Sequence, residues 1–426
     1  MKIQKILKRL LQLHPKSVDL SLDRIQRLLE DLKNPHKKIK NVIQVVGTNG
    51  KYSFCTSLRE IFETAGYTVN LNISPSLRKF NERYYFLGKY ISDKNLTRLL
   101  LEVEEINQGK SITFHEFICA CYFLESSRNK SDINIIEAGL FFRLDASNVF
   151  KKNIASVIMP IGVDHKDFLK KGTVDEIVYE KCSHLLNNSK IFVSKQENHV
   201  LSKIKKSISK NSSQKIYFEK DFIYKKFSKG FIYKDQIGKV NLPLPNLLGD
   251  FQIDNISTAI AVSRNLKKFF INEFHIKKAI MNIKSEGRLQ NITHGRLRNY
   301  VNKDNKILID GAHNPLAALQ IKKYLKNLNN KNKIIMLLGM MSNKDHKNFI
   351  KILKGAIDSI IVLDIPNQIN FIKKEKLLKI ALSCGVPAKT EKSITSAFKN
   401  VSKKNSNAVI FCTGSLYFAG EILNLN

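Results

Sequence analysis

Apolar residues fall along this chain in two alternating rhythms. Short, nearly continuous runs predict buried strands over Val42 to Val46, Tyr67 to Ile73, Ile133 to Ile136 and Ala155 to Ile161. Between them apolar residues recur at helical spacing. Examples are Ile25, Leu28, Leu29 and Leu32, or Leu58, Ile61, Phe62 and Ala65; Leu96 to Ile106, Phe114 to Leu124 and Thr173 to Leu186 follow suit. The alternation returns after residue 305. Strands are expected over Lys306 to Ile309, Ile334 to Leu338, Ser359 to Leu363 and Ala408 to Cys412. Helices are expected over Leu316 to Leu328, His346 to Leu353, Phe371 to Leu382 and Ile394 to Val401. Strand–helix alternation predicts an α/β chain built on parallel sheets. Residues 188–245 break the rhythm, and their short Lys-, Ser- and Tyr-rich strands read as a peripheral meander. Leu248 to Asn255 then opens a long helix carrying Ile256, Ala259, Ile260 and Val262.

Polar residues punctuate this pattern where chemistry is expected. After the first strand, Gly47-Thr48-Asn49-Gly50-Lys51-Tyr52-Ser53 turns the chain into a helix read as starting at Ser53. Strand, glycine turn, lysine, hydroxyl and helix are the layout of a phosphate cradle, the plainer alternative being an ordinary βα turn. Backbone N–H groups and the positive helix end face an anion, and Lys51 adds a point charge. The spacing departs from the general P-loop pattern at Val45, where a glycine is expected, and at Tyr52, which delays the hydroxyl to Ser53. Ser74, Glu137 and His165 are read as ending strands beside the cradle strand, where open α/β sheets gather ligands. One hydroxyl, one carboxylate and one imidazole suit Mg²⁺ or Mn²⁺ better than zinc. Ser21 and Thr113 read as helix N-caps, as does Asn314 ahead of Pro315.

A chain of 426 residues is too long for one ordinary core. The polar stretch from Asn291 to Asn305 marks the expected boundary, giving domains 1–293 and 294–426. No apolar run approaches the ~18 residues of a membrane helix. Met1 to Leu13 is basic, with Ile3, Ile6, Leu7, Leu10 and Leu11 on one helical face, so it reads as a surface helix and not a signal peptide. The six cysteines form no C-x-x-C pair, which points to reduced thiols and the cytoplasm. The net charge of +34 raises the question of a nucleic-acid or membrane partner. The excess is mainly lysine, spread along the whole chain without a basic stripe, so it reads as a diffuse field that attracts anionic small molecules such as nucleotides and polycarboxylates. No G-x-G-x-x-G follows the first strand of the second half, which disfavours a dinucleotide site. Asp310 and His313 instead follow that strand, and are read as reaching toward the nucleotide of the first domain.

The motifs form an ordered set: Gly47 to Lys51, Ser74-Pro75, Phe80-Asn81-Glu82-Arg83, Thr113-Phe114-His115-Glu116-Phe117, Glu137-Ala138-Gly139-Leu140, Arg143-Leu144-Asp145-Ala146, Gly162-Val163-Asp164-His165, Glu180-Lys181, Gly287-Arg288, Asp310 to Pro315 and Gly414-Ser415-Leu416-Tyr417. In this order the set resembles the dihydrofolate synthase/folylpolyglutamate synthase family of the Mur ligase superfamily. The resemblance implies an N-terminal P-loop-type parallel-sheet ATPase domain, like the Mur ligase central domain, and a smaller C-terminal Rossmann-like α/β domain. It implies ATP-dependent ligation of L-glutamate to dihydropteroate, to a folate γ-carboxyl, or to both. Gly50, Lys51, Tyr52 and Ser53 would bind ATP phosphates, and Asn255, Arg288 and Asp310 would contact ATP with His313 close by. Ser74, Glu137 and His165 would ligate Mg²⁺. Lys181 matches a lysine carbamylated in relatives, whose new carboxylate holds a second Mg²⁺. Catalytic roles thus fall to Lys51, His165 and Lys181. Asp19, Leu20, Ser21, Thr113, Phe114, His115, Glu116, Leu144, Asp145 and Ala146 would line the pterin-bearing substrate.

In that chemistry a substrate carboxylate attacks the γ-phosphate, and the glutamate amine displaces phosphate from the acyl phosphate. Such phosphoryl transfer asks the protein mainly to position groups and offset charge. Carbamylation needs a neutral Lys181 amine, hence a depressed pKa; the plainer reading of Lys181 is an ammonium near the triphosphate. The chain departs from the family at Tyr52, at Phe141-Phe142 where the family has Gly-Gly, at Ser76 and at Phe54. Phe141-Phe142 motivates an alternative, a related ligase joining an amino acid to another carboxylate. Charge alone motivates a second alternative, a nucleic-acid-binding protein. The resemblance implies small-molecule partners only, a monomer, and no nucleic acid or membrane.

Overall fold

In the computed structural model, which describes residues 3–16, 19–328 and 332–426, the chain divides into two units. The first comprises Met1–Ile161, Thr173–Asn246 and Asp254–Ile283; the second comprises Gly162–Gly172, Leu247–Ile253 and Lys284–Asn426.

The first unit is organised on strands β1 (Val42–Val46), β2 (Val69–Asn72), β3 (Tyr84–Phe86), β4 (Lys89–Tyr90), β5 (Ile133–Glu137), β6 (Ala155–Ile158), β7 (Lys190–Val193) and β8 (Gln214–Tyr217). Among the described residues they form one sheet in the order β4-β3-β2-β5-β1-β6-β7-β8. Strand β1 runs parallel to both neighbours, with Val45 opposite Glu137 of β5 and Val46 opposite Ile158 of β6. All five β1 residues are buried, as a strand covered on both faces requires, and this is why its sequence is nearly unbroken in apolar residues. The chain leaves β1 toward β2 on one side, and later returns through β5 to β6 on the other. Loops therefore part at the carboxyl end of β1, which is where a parallel sheet opens a crevice.

Helices α1 (Ile3–Leu10) and α2 (Asp23–Asp31) precede β1, and α3 (Lys51–Thr64), α4 (Asp93–Asn107) and α5 (Phe114–Arg128) fall between β1 and β5. Ile6, Leu10, Ile25, Leu28, Leu29, Leu99, Val103 and Phe117 share one apolar cluster, so the N-terminal helix packs its apolar face inward. Helix α3 starts at Lys51, two residues earlier than its spacing suggests, because Gly50 takes a left-handed φ of 80° and lets the helix begin at once. Ser21 is not the N-cap of α2. That position is Leu22, and Ser21 Oγ accepts the Asp23 N–H at 3.1 Å. Thr113 does cap α5, in a reciprocal box with Glu116.

Helices α6 (Val174–Cys182), α7 (Asn198–Ser207), α8 (Asp250–Asn265) and α9 (Glu273–Asn282) follow. The expected meander over 188–245 is only partly one. Strands β7 and β8, joined through α7, extend the parallel sheet. Strands β9 (Phe222–Phe227), β10 (Gly230–Asp235) and β11 (Gly238–Pro243) make the antiparallel three-stranded meander.

In the second unit, β12 (Gln290–Asn291), β13 (Lys306–Ile309), β14 (Lys333–Leu338), β15 (Ser359–Val362), β16 (Ala388–Thr390) and β17 (Ala408–Thr413) line up as β12-β13-β17-β14-β15-β16. All but the short antiparallel β12 are parallel. Helices α10 (Pro315–Leu328), α11 (His346–Leu353), α12 (Lys374–Ser383), α13 (Ile394–Lys404) and α14 (Leu416–Asn424) accompany them. Asn314 caps α10 by accepting the Ala317 N–H at 2.9 Å. The six cysteines are free and buried. Among the described residues no helix is long and apolar enough to cross a membrane.

Candidate active site

The cradle is built where β1 ends. Thr48 and Asn49 donate their N–H groups to the Pro160 carbonyl, at 2.8 and 3.1 Å, which ties the turn to the chain beyond β6. The turn is packed too closely for side chains. A Cβ on Gly47 would lie 2.7 Å from Met159 Cβ, and one on Gly50 would lie 2.5 Å from Asn255 Oδ1. Gly50 and Asn255, far apart in sequence, are thus neighbours. Lys51 Nζ donates to the Gly47 carbonyl at 3.1 Å and lies 3.6 Å from Glu137 Oε1. Glu137 is 4% exposed, and its Oε2 accepts the Ser74 N–H at 3.1 Å. Lys51, Ser74 and Glu137 therefore meet at one end of the sheet, with Ser53 buried in the first turn of α3.

A second cluster fixes the loop after β5. The Glu180 carboxylate receives Arg143 Nε and Nη2, the latter at 2.9 Å, while its backbone carbonyl takes the N–H groups of Phe142 and Arg143. Lys181 is 4% exposed; its Nζ donates to the Leu140 carbonyl at 2.8 Å and sits 5.5 Å from the Phe141 ring centroid. Phe141 and Phe142 fill the core, 1% and 0% exposed. Burial of the two phenyl groups anchors the loop.

The residues read as pterin-side form a third cluster in the same unit. Asp145 is buried, and its oxygens accept the Gly139 N–H at 3.1 Å and the Ser147 N–H and hydroxyl at 2.9 and 2.6 Å. His115 Nε2 stands 3.4 Å from Asp145 Oδ2. Burial opposes a charge on His115, but Cys119 and Asp145 outweigh it and hold the imidazole well above its ordinary pKa. Burial likewise opposes ionisation of Asp145, and the His115 ring with the Ser147 donors overrides it, so its carboxyl titrates below the ordinary range. Gly139 is required here, since a Cβ would come within 2.7 Å of the His115 ring. Phe114 packs edge-on to Phe80, with centroids 6.0 Å apart. Glu116 accepts the Thr113 N–H and both fork nitrogens of Arg24. Arg24 also holds the side chain and carbonyl of Asp19. Leu20 and Leu144 are half-buried and Ala146 is buried. The sequence reading missed Arg24 and Ser147, because their partners declare themselves only in space.

His165 does not end a strand. Strand β6 stops at Ile158, and His165 lies seven residues on, in a left-handed turn with φ 54°. It belongs to the second unit, where Asp164 is the hub. Asp164 accepts Lys344 Nζ at 2.7 Å and Asn314 Nδ2 at 3.1 Å, with His313 Nε2 at 3.3 Å and His165 Nε2 at 3.7 Å. Burial works against its charge, but the two imidazoles and Lys344 overcome this and hold its carboxyl far below the usual range. Asp310 is also buried and accepts the N–H groups of Leu289 and Ala312 at 2.8 and 2.7 Å. Its carboxyl is nonetheless pushed up by burial, against the pull of Arg288 and those donors. Arg288 packs over Gly311, where a Cβ would lie 3.0 Å from its Nη1. Arg288, Asp310 and His313 thus share one neighbourhood. Lys344 is the partner that sequence spacing gave no cause to select.

Among the described residues no three His, Cys, Asp or Glu side chains converge as a ready metal centre. The first unit does present the Glu137 carboxylate at the cradle, an oxygen donor of the type a hard divalent cation takes, with the Ser74 backbone N–H on its Oε2.

Known proteins share this fold. Residues 45–263 match the Mur ligase middle domain, and residues 290–425 match the dihydrofolate synthetase C-terminal domain. A dihydrofolate synthase/folylpolyglutamate synthase of Buchnera aphidicola from Acyrthosiphon pisum is 30% identical over 322 residues, covering 74% of this chain and 73% of the relative. The structure of Escherichia coli FolC in complex with DHPP and ADP superimposes with a TM-score of 0.89, at 24% identity, over 100% of this chain and 97% of that one. A bifunctional folylpolyglutamate synthase/dihydrofolate synthase from Yersinia pestis, complexed with AMPPNP and a Mn ion, gives 0.86 at 22% identity, over 100% and 98%.

Proposed function

Since the chain belongs to the dihydrofolate synthase/folylpolyglutamate synthase family of Mur ligases, we infer that it is an ATP-dependent ligase joining L-glutamate to a pteroate or folate carboxylate. The observation that carries this reading is the gathering of Lys51, Ser74 and Glu137 at the carboxyl end of β1, with Asn255 packed on Gly50.

The acceptor carboxylate attacks the γ-phosphorus of ATP, giving an acyl phosphate and ADP. The glutamate amine then attacks the acyl carbon, the amide forms, and phosphate leaves. No protein nucleophile is needed. Lys51 offsets charge on the transferring group, and the N–H groups opening α3 receive the phosphates, assisted by Gly50, Tyr52 and Ser53. Asn255, Arg288, Asp310 and His313 are assigned to ATP. Asp19 to Ser21, Thr113 to Glu116 and Leu144 to Ala146 are assigned to the acceptor.

The reaction uses a divalent ion, which Ser74 and Glu137 would hold; His165, expected as a further ligand, stands beside Asp164 in the second unit. Lys181, if carbamylated, would serve a second ion. When bound, such ions neutralise phosphate charge. A monomeric state and a cytoplasmic location belong to the same proposal, the latter supported by six free cysteines; the division expected at residues 293 and 294 differs from the two units, of which the second takes in Lys284–Asn426 with two earlier segments.

The test is a panel of acceptors (dihydropteroate, tetrahydrofolate and unrelated aromatic acids) incubated with ATP, Mg²⁺ and glutamate, with products read by mass spectrometry. A glutamate adduct of a pterin-bearing acceptor is expected. Adducts confined to unrelated acids would overturn the acceptor assignment.

A further inference from the structure

Arg24 occupies a position that the chemistry above does not use. It stands in the first turn of α2, and its guanidinium reaches two segments assigned to the acceptor. Nε and Nη2 donate to the two Glu116 oxygens at 3.0 and 2.9 Å, a bidentate fork. Nη1 donates to the Asp19 carboxylate at 3.0 Å and Nη2 to the Asp19 carbonyl at 2.7 Å. Glu116 is 3% exposed and also accepts the Thr113 N–H at 2.8 Å, so the fork is coupled to the cap that starts α5. The Arg24 side chain is itself only 19% exposed. His14 adds a weaker contact, its Nε2 3.5 Å from Asp19 Oδ2.

We propose that Arg24 is a positioning residue that fastens the Asp19–Ser21 loop to the first turn of α5, making the two segments one rigid wall for the pterin-bearing acceptor. The physical reason is geometric. A planar fork satisfies both Glu116 oxygens at once and still has donors for Asp19, whereas an ammonium, with three donors on one nitrogen, lacks the parallel pair that matches a carboxylate. Holding both segments before substrate arrives removes an ordering cost from acceptor binding. The partners of Arg24 are Glu116 and Asp19 and not the cradle residues Lys51 and Glu137, so its effect falls on acceptor affinity and not on ATP. The inference rests on the ligase reading above for its substrate, but the fastening itself does not.

The test is Arg24→Lys, with Glu116→Gln as a second variant that keeps the arginine. In the ligase assay, Arg24→Lys is expected to raise KM for dihydropteroate by about ten-fold or more while KM for ATP moves less than about two-fold. In hydrogen exchange without any ligand, residues 19–23 and 113–117 are expected to lose protection together in both variants. A KM for dihydropteroate that does not move, or equal rises in both KM values, would overturn the proposal. So would loss of protection in one segment alone. Wild-type protein showing no acceptor-dependent turnover would refute the ligase reading instead, and exchange would then decide the fastening by itself.

Discussion

Lys51 Nζ stands 3.6 Å from Glu137 Oε1, across two adjacent parallel strands' carboxyl ends. The cation belongs to the cradle, and the carboxylate is the one assigned to metal. Each side chain is largely buried, so their pairing offsets part of the cost of taking two charges out of water. Lys51→Ala is expected to lower kcat by roughly 100-fold or more through lost stabilisation of the transferring phosphoryl group. Steady-state kinetics at saturating ATP measures it, and a variant with near-normal kcat would contradict the role.

Gly50 combines a left-handed backbone with a neighbour too close for any side chain. Gly50→Ala should cost about 1–2 kcal/mol from φ alone. It should also push the Asn255 side chain off the cradle, since the new Cβ would sit 2.5 Å from Oδ1. Thermal melts and KM for ATP are expected to worsen together. Adding Asn255→Ala should recover part of the lost stability, because it removes the clash and leaves the backbone strain. A double variant no more stable than Gly50→Ala would contradict this.

The His115–Asp145 pair gives a pH signature. The His115 pKa is raised above its ordinary 6.5, so its contribution is complete below 6.5 and is lost as pH rises through the folded value. Asp145 is lowered from 3.8, so its contribution is present above 3.8 and is lost as pH falls through the folded value. The Tm difference between wild type and His115→Gln is therefore expected to be largest between the ordinary values of 3.8 and 6.5 and to shrink at alkaline pH. Melts across pH check this; a gap that widens with rising pH would contradict it.

Lys344 holds the segment that carries His165 within the second unit. Lys344→Met leaves Asp164 buried without its ammonium, a loss of about 3–5 kcal/mol for a broken buried pair. Increased tryptic cleavage after Lys166, Lys170 and Lys171 is expected, together with a lower Tm. Unchanged cleavage would mean that the two imidazoles suffice.

These residues also show what the sequence could and could not reveal. Strand β13 matches its expected bounds, and β14, β15 and β17 differ by one residue, because continuous β-branched runs flanked by polar turns leave little choice of register. Strands β7 and β8 are hidden among lysines: Lys190 only opens the otherwise buried β7, and Lys215 lies on β8, the edge strand of the sheet. The cradle was legible as a local motif. What escaped was long-range pairing. Arg24 meets Glu116 across 92 residues, and Asp164 meets Lys344 across 180. The placement of His165 depends on that second pair, so strand arithmetic put it at the end of β6, where it does not lie. The burial of Phe141 and Phe142 likewise shows only in the fold.

The most direct test of the central claim follows one oxygen atom. Acceptor labelled with heavy oxygen in its reacting carboxylate is incubated with the enzyme, ATP, Mg²⁺ and glutamate, and the released phosphate is analysed by mass spectrometry. The acyl-phosphate route predicts one labelled oxygen in phosphate for each amide formed. Unlabelled phosphate alongside amide product, or phosphate release with no need for the acceptor, would contradict it.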